Sequence, residues 1–280
     1  NSGDILVEQN TEEKLPPASL TKIMTIYVVA SELANGKISL EDEVLVSEKA
    51  WRTEGSRMFI EVNKKVKLDD LLHGVIIQSG NDASVALAEY ISGTEGVFAD
   101  LMNKHAEQLG MNSSHFVNST GLPDPDHYTT ASDLAKLAQA LIRDYPEVYG
   151  LHKIKEFTFN KIKQHNRNKL LWRDRSVDGV KTGHTEEAGY CLVASAVKDG
   201  MRLISVVMGT DGMNARAKAS QAILNYGFRF FETHKLYSAG DLITSVKVWK
   251  AEIDNLNLSI NRDIYITVPR GQYEKIEPVV

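Results

Sequence analysis

The stretch Pro16-Pro17-Ala18-Ser19-Leu20-Thr21-Lys22-Ile23-Met24-Thr25-Ile26-Tyr27-Val28-Val29-Ala30-Ser31-Glu32-Leu33-Ala34-Asn35-Gly36 reads as one helix with a marked start and a marked end. Two prolines set a stiff approach, Ser19 stands near the first turn, and Asn35-Gly36 supplies the usual carboxyl-terminal stop. Leu20, Ile23, Met24, Tyr27, Val28 and Leu33 leave little polar surface. A helix that is apolar nearly all round belongs in the middle of a domain, not along its surface.

Outward from this helix the pattern divides into a helical middle and a strand-rich end. Before it, residues 3–10 (GDILVEQN) alternate as a strand does. After it, residues 68–78, 81–91 and 95–110 carry helical periodicity, the last closed by Gly110. A further helix opens at Thr130-Ala131-Ser132-Asp133, a capping box with Asp in the place of Glu or Gln. Residues 157–165, 190–198 and 201–209 read as strands, with Asp199-Gly200 a tight hairpin turn between the last two. A long amphipathic helix is expected over 215–234. Beyond Lys235, residues 241–253 and 263–268 alternate in short strands without helix signals.

The expected fold class is therefore α/β in the α+β sense: a central, mainly antiparallel sheet flanked by helices, with an inserted helical lobe. Residues 1–235 form the expected catalytic domain, and 236–280 the start of a small all-β domain that is short for independent folding. The chain begins with Asn1 and enters strand-like sequence at once, so it is expected to be a processed or trimmed product.

With 280 residues, 42% of them hydrophobic, the chain can bury a full core. A formal net charge of −5 gives no general field for nucleic acid or anionic lipid, so an anion site must be local. No apolar run is long enough to span a membrane. A single cysteine, Cys191, excludes a disulfide framework, and its apolar neighbours mark it as a buried small hydrophobe. The histidines form no H-x-x-x-H or H-E-x-x-H pattern, and one thiolate cannot make a metal cage, so no metal and no cofactor is expected. The charged runs 41–43 and 124–126 read as solvated loops.

Three short motifs occur in order: Ser19-Leu20-Thr21-Lys22, Ser79-Gly80-Asn81, and Lys181-Thr182-Gly183 followed by His184. Each alone is weak, and a second Ser-x-x-Lys at 195–198 is a useful control. In a strand that spacing points the two side chains to opposite faces. On a helix it places them on one face a turn apart, so the Lys22 amine can reach the Ser19 hydroxyl. A serine needs a neighbouring base, and a lysine can serve once burial and nearby cations depress its pKa. Ser79-Gly80-Asn81, between two helices, can turn two polar side chains into a cleft. A glycine at a strand edge, as in Lys181-Thr182-Gly183, lets a substrate backbone approach closely, with the lysine and hydroxyl facing an anion.

The trio resembles the motif set of penicillin-binding proteins and serine β-lactamases, whose middle element is usually S-D-N. The S-G-N variant, together with residues 16–25, 74–84, 164–172, 177–196 and 226–233, is similar to the low-molecular-mass D-alanyl-D-alanine carboxypeptidases of peptidase family S11. The resemblance spans about residues 1 to 270. It implies removal of the terminal D-alanine from peptidoglycan stem pentapeptides through a Ser19 acyl-enzyme, and covalent acylation of Ser19 by β-lactams. Lys22 would be the general base, Ser79 would aid proton transfer to the leaving amine, and Asn81 would hold substrate and Lys22. Lys181 would shape the field and proton path, Thr182 would hold the substrate carboxylate, and the N–H groups of Ser19 and His184 would form the oxyanion hole. Gly183 would border the substrate backbone, and Arg216 would recognise the carboxylate. Arg167 would stand near the cleft, with a strand-surface ion pair as the alternative reading.

The family also implies a periplasmic or other extracytoplasmic location, peripheral to the outer face of the cytoplasmic membrane through a carboxyl-terminal amphipathic helix. The sequence to Val280 contains no such helix, so anchoring is expected only of a longer parent chain. A β-lactamase is disfavoured by the lack of an E-x-x-L-N-like segment between the second and third motifs. A non-catalytic wall-binding relative is disfavoured because all three motifs are intact.

Overall fold

The computed structural model describes residues 2–250 and 254–276. Its contacts divide the chain into two compact units: Gln9–Ala196 with Ile204–Leu224, and Asn1–Glu8 with Val197–Leu203 and Asn225–Val280.

The first unit is built on the expected helix. A 3-10 turn, Ala18–Leu20, runs into α1 (Thr21–Ala34), which is buried from Thr21 through Glu32. Leu20, Ile23, Met24, Ile26, Val28 and Val29 are fully enclosed. Each such side chain contributes about 1.5–3 kcal/mol of burial, which makes α1 the centre of the core. The stop is also as read. Gly36, at φ +67°, donates its N–H to Leu33 O, and the Lys37 N–H reaches Glu32 O, closing the last turn with two crossed bonds.

The other elements follow in order: β1 (Glu43–Leu45), α2 (Glu48–Arg52), β2 (Lys65–Lys67), α3 (Leu68–His73), α4 (Asn81–Ser92), α5 (Glu95–Gln108), α6 (Ala131–Asp144) and α7 (Pro146–Tyr149). Helices α4, α5 and α6 all pack on α1. Then come β3 (Glu156–Phe159), β4 (Ile162–His165), α8 (Leu170–Arg173), β5 (Val177–Thr185), β6 (Gly189–Lys198), β7 (Met201–Thr210) and α9 (Met213–Phe230). The main sheet is ordered β5-β6-β7, with β5 at an edge and antiparallel to β6. In the second unit, β8 (Phe231–Tyr237) pairs antiparallel with β11 (Ile264–Pro269), and β9 (Leu242–Lys247) with β10 (Asn255–Ser259). The fold is α+β with a helical lobe, as expected.

Several expectations need correction. Residues 3–10 form no strand; Ile5 and Val7 stay exposed, so the alternation has no ladder to join among the described residues. Residues 157–165 are not one strand but the hairpin β3–β4, because Asn160 and Lys161 both take positive φ, the geometry of a tight hairpin turn. The helix read over 68–78 ends at His73 and continues as a widened π turn, Gly74–Gln78. The helix read over 215–234 gives way to β8 after Phe230, where Phe231, Thr233 and Tyr237 supply strand formers. Glu43, read as loop, opens β1, although Glu41 and Glu43 remain exposed and pair with Lys67 and Lys65. Only half of the capping box forms. Thr130 Oγ1 accepts from the Asp133 N–H, while the Asp133 carboxylate turns to Ser113, Ser114 and Lys136.

Candidate active site

The Ser-x-x-Lys spacing works as helix geometry requires. Ser19 lies in the 3-10 turn and Lys22 in the first turn of α1, with Lys22 Nζ 3.1 Å from Ser19 Oγ. Lys22 is fully buried yet forms no ion pair among the described residues. Its Nζ donates instead to Asn81 Oδ1 and to the Thr120 carbonyl, both at 2.6 Å. Burial, then the Arg167 charge, bring its pKa down from 10.5 to about 7, against a smaller upward pull from Asp82 and Glu95. A neutral amine has two N–H bonds and one lone pair. With Asn81 and Thr120 taking the N–H groups, the lone pair is left for the Ser19 hydroxyl proton.

The partners of Lys22 are themselves fixed. Asn81 opens α4, and its Nδ2 donates to the Glu54 carbonyl at 2.6 Å, which settles its amide orientation toward Lys22. Asn118 Oδ1 accepts from the N–H of Thr120 and of Gly121 and from the Thr120 hydroxyl, tying the turn that presents the Thr120 carbonyl.

Ser79 takes a left-handed conformation, φ +65°, at the end of the π turn, a strained state for a residue with a side chain. It is buried, and its Oγ accepts from Lys181 Nζ at 2.9 Å. Lys181 also donates to the Thr182 carbonyl and is held well below the usual lysine range by burial, then by Lys22, Arg167 and Arg216. Each of two depressed lysines thus meets one serine, Lys22 with Ser19 and Lys181 with Ser79.

The Lys181-Thr182-Gly183-His184 run lies inside β5, not before the strand as expected; Lys181 is opposite Val193 and His184 opposite Tyr190. Gly179 and Gly183, which depress strand propensity, hid β5 from the pattern. Gly183 serves close approach: a Cβ there would stand 3.0 Å from Pro17 O and 3.2 Å from the Leu20 nitrogen. The Thr182 hydroxyl has no hydrogen-bond partner among the described residues, and Thr182 is buried. His184 is exposed, its ring 3.9 Å from that of Tyr190.

Arg216 falls within α9, inside the helix expected there, and is buried. Its Nη1 donates to the carbonyls of Gly183 and Cys191, at 2.7 and 3.2 Å. Arg167 is in the loop between β4 and α8 and forms no ion pair among the described residues, which removes the strand-surface alternative. It stands near enough to depress the pKa of Lys22, Lys181 and Arg216. None of Lys22, Lys181, Arg167 and Arg216 is neutralised by a carboxylate contact among the described residues, so an acidic protein gathers four basic side chains whose mutual repulsion favours the neutral form of the two lysines. Cys191 is buried, as read, and its thiol is pushed up by burial.

Two supports went unseen in the sequence. The Asp82 carboxylate accepts from the N–H groups of Met58, Phe59, Ile60 and Ala83, at 2.9–3.3 Å, and so holds the loop after Glu54 over α4. An acid in the first turn of a helix is too common to single it out. The other is the Thr120-Gly121 turn, where only a glycine hinted at a special conformation.

Known proteins resemble this chain in sequence and fold. Residues 1–212 match the profile of the D-alanyl-D-alanine carboxypeptidases, peptidase S11. The chain belongs to that family. Residues 231–280 match the carboxyl-terminal domain of penicillin-binding protein 5. The chain is 47% identical to D-alanyl-D-alanine carboxypeptidase DacC of Escherichia coli K12, over 99% of this chain and 71% of that protein. It is 46% identical to DacA of Haemophilus influenzae, over 99% and 72%. The crystal structure of penicillin-binding protein 5 from H. influenzae superposes with a TM-score of 0.93 at 46% identity, covering 98% of this chain and 81% of that one. Penicillin-binding protein D2 of Listeria monocytogenes, solved in an ampicillin-bound form, gives a TM-score of 0.74 at 31% identity, covering 81% and 93%.

Proposed function

We propose that Ser19 carries the chemistry of this serine-type D-alanyl-D-alanine carboxypeptidase, with Lys22 as its base. The observation behind this reading is the Lys22 amine, buried, depressed to about 7 and 3.1 Å from Ser19 Oγ, with its N–H groups engaged elsewhere. The Ser19 proton passes to Lys22 as Oγ bonds the carbonyl carbon of the penultimate D-alanine. The bond to the terminal D-alanine nitrogen then breaks, and that nitrogen takes a proton through Ser79, backed by Lys181. Water next cleaves the ester and restores Ser19. The N–H groups of Ser19 and His184 receive the oxyanion, Thr182 and Arg216 engage the terminal carboxylate, Arg167 adds positive field, and Gly183 admits the peptide backbone.

The substrate is a peptidoglycan stem peptide ending in D-Ala-D-Ala, and β-lactams acylate the same serine. The work is extracytoplasmic, where that substrate lies; attachment to the outer face of the cytoplasmic membrane is part of the proposal for the longer parent chain. A catalytic domain over 1–235 and an all-β unit from 236 to 280 are likewise proposed, supported by the separate family matches at 1–212 and 231–280.

The test is release of D-alanine from diacetyl-Lys-D-Ala-D-Ala. Native protein should release it and Ser19→Ala should not; equal release by the two would reject the assignment.

A further inference from the structure

A buried chain of hydrogen bonds runs under the Ser19 turn, and its direction can be worked out atom by atom. The Val117 N–H donates to His127 Nδ1 at 3.1 Å. A ring nitrogen that accepts carries no proton, so in the neutral ring the proton is on Nε2. His127 Nε2 is 2.7 Å from Thr21 Oγ1, and Thr21 Oγ1 donates its only proton to the Ala18 carbonyl at 2.8 Å. The His127 N–H must therefore point at Thr21. All three links have one consistent polarity: Val117 N–H to His127, His127 N–H to Thr21, Thr21 O–H to Ala18 C=O. His127 and Thr21 are both buried, and burial holds His127 neutral, its pKa down at about 4.

The end of this chain matters because the Ala18 carbonyl and the Ser19 N–H belong to one planar peptide unit. Fixing the carbonyl fixes the direction of the N–H. Ala18 has φ +47°, a conformation a residue with a Cβ does not hold without outside restraint. The Thr21 backbone N–H donates to the same oxygen, and Gly121 makes room for it. A Cβ on Gly121 would stand 1.8 Å from Ala18 O, so the glycine leaves the space in which that carbonyl sits. Two independent parts of the chain, the 117–127 loop and the first turn of α1, thus converge on one peptide plane.

We propose that His127 and Thr21 are positioning residues that aim the Ser19 N–H at the oxyanion of the tetrahedral intermediate. The inference rests on the oxyanion-hole role proposed above for that N–H. A hydrogen bond on the carbonyl also polarises the N–H across the same amide, which strengthens it as a donor. Neither residue touches the substrate.

The test compares His127→Leu, His127→Gln, Thr21→Val and Thr21→Ser with native protein, each rate normalised to the active fraction titrated with penicillin. The readouts are kcat and KM for diacetyl-Lys-D-Ala-D-Ala and the affinity of a peptide boronic acid whose tetrahedral adduct places an oxygen in the same hole. His127→Leu and Thr21→Val should lower kcat about 10- to 100-fold, with KM little changed and boronate affinity falling in parallel. His127→Gln, whose amide reaches the Nε2 position, and Thr21→Ser should recover most of the loss. Native kcat in Thr21→Val or His127→Leu overturns the inference, as does a Gln variant as poor as Leu. A rise in KM with boronate affinity unchanged also overturns it. If native protein forms no adduct at Ser19, the functional reading itself has failed, and that result is distinguishable from any of these.

Discussion

If Lys22 is the base in its neutral form, the acylation rate must follow its titration. Burial and Arg167 bring its pKa from 10.5 to about 7. At pH 7 about half the molecules then carry a neutral amine, against roughly one in 3,000 for an unperturbed lysine, a gain of about a thousandfold in competent enzyme. The assay is stopped-flow acylation by a β-lactam at subsaturating concentration from pH 5 to 9, which reports the free enzyme. The rate should rise about tenfold per pH unit below pH 6 and level off above about pH 8. Replacing Arg167 with methionine removes the second cause of the depression, so the midpoint should move to higher pH. A rate flat across the range, or a midpoint near 10, would refute the neutral-lysine account. The same shift fixes a sign for stability. Between about pH 7 and 10.5 the unfolded chain binds more protons at Lys22 than the folded one, so stability should rise with pH through that window.

Three further outcomes follow from contacts around the cleft. Asp82→Asn leaves one acceptor oxygen where four N–H groups converge and should cost about 2–4 kcal/mol in urea unfolding; a loss under about 0.5 would show the loop is held otherwise. Gly183→Ala puts a Cβ 3.0 Å from Pro17 O and should lower acylation about 10- to 100-fold with little change in Tm, whereas native rates would deny that β5 must approach so closely. Ser79→Ala removes the hydroxyl on Lys181 and should slow D-alanine release far more than it weakens substrate binding, measured as kcat against KM; a change confined to KM would make Ser79 a binding group only.

What the sequence disclosed was carried by side chains and periodicity. The α1 helix could be read because its apolar residues cover all faces and Asn35-Gly36 ends it, and the Ser19–Lys22 pair followed from helical spacing. The duplicate Ser-x-x-Lys at 195–198 begins inside β6, where that spacing separates the two residues, so secondary structure was what told the pairs apart. Groups that act through the backbone were invisible: the Thr120 and Glu54 carbonyls hold Lys22 and Asn81, but any residue can supply a carbonyl. β5 was missed because its two glycines break the strand pattern, Gly183 at the very place where the Ser19 turn packs closest. His127 offered no local clue, since its partner Thr21 is 106 positions away.

The central claim is that Ser19 becomes acylated, and peptide mapping by mass spectrometry after exposure to penicillin tests it most directly. One drug-sized adduct on the peptide containing Ser19, absent in Ser19→Ala, is the predicted result. An adduct that persists in Ser19→Ala, or maps to another serine, would contradict the account.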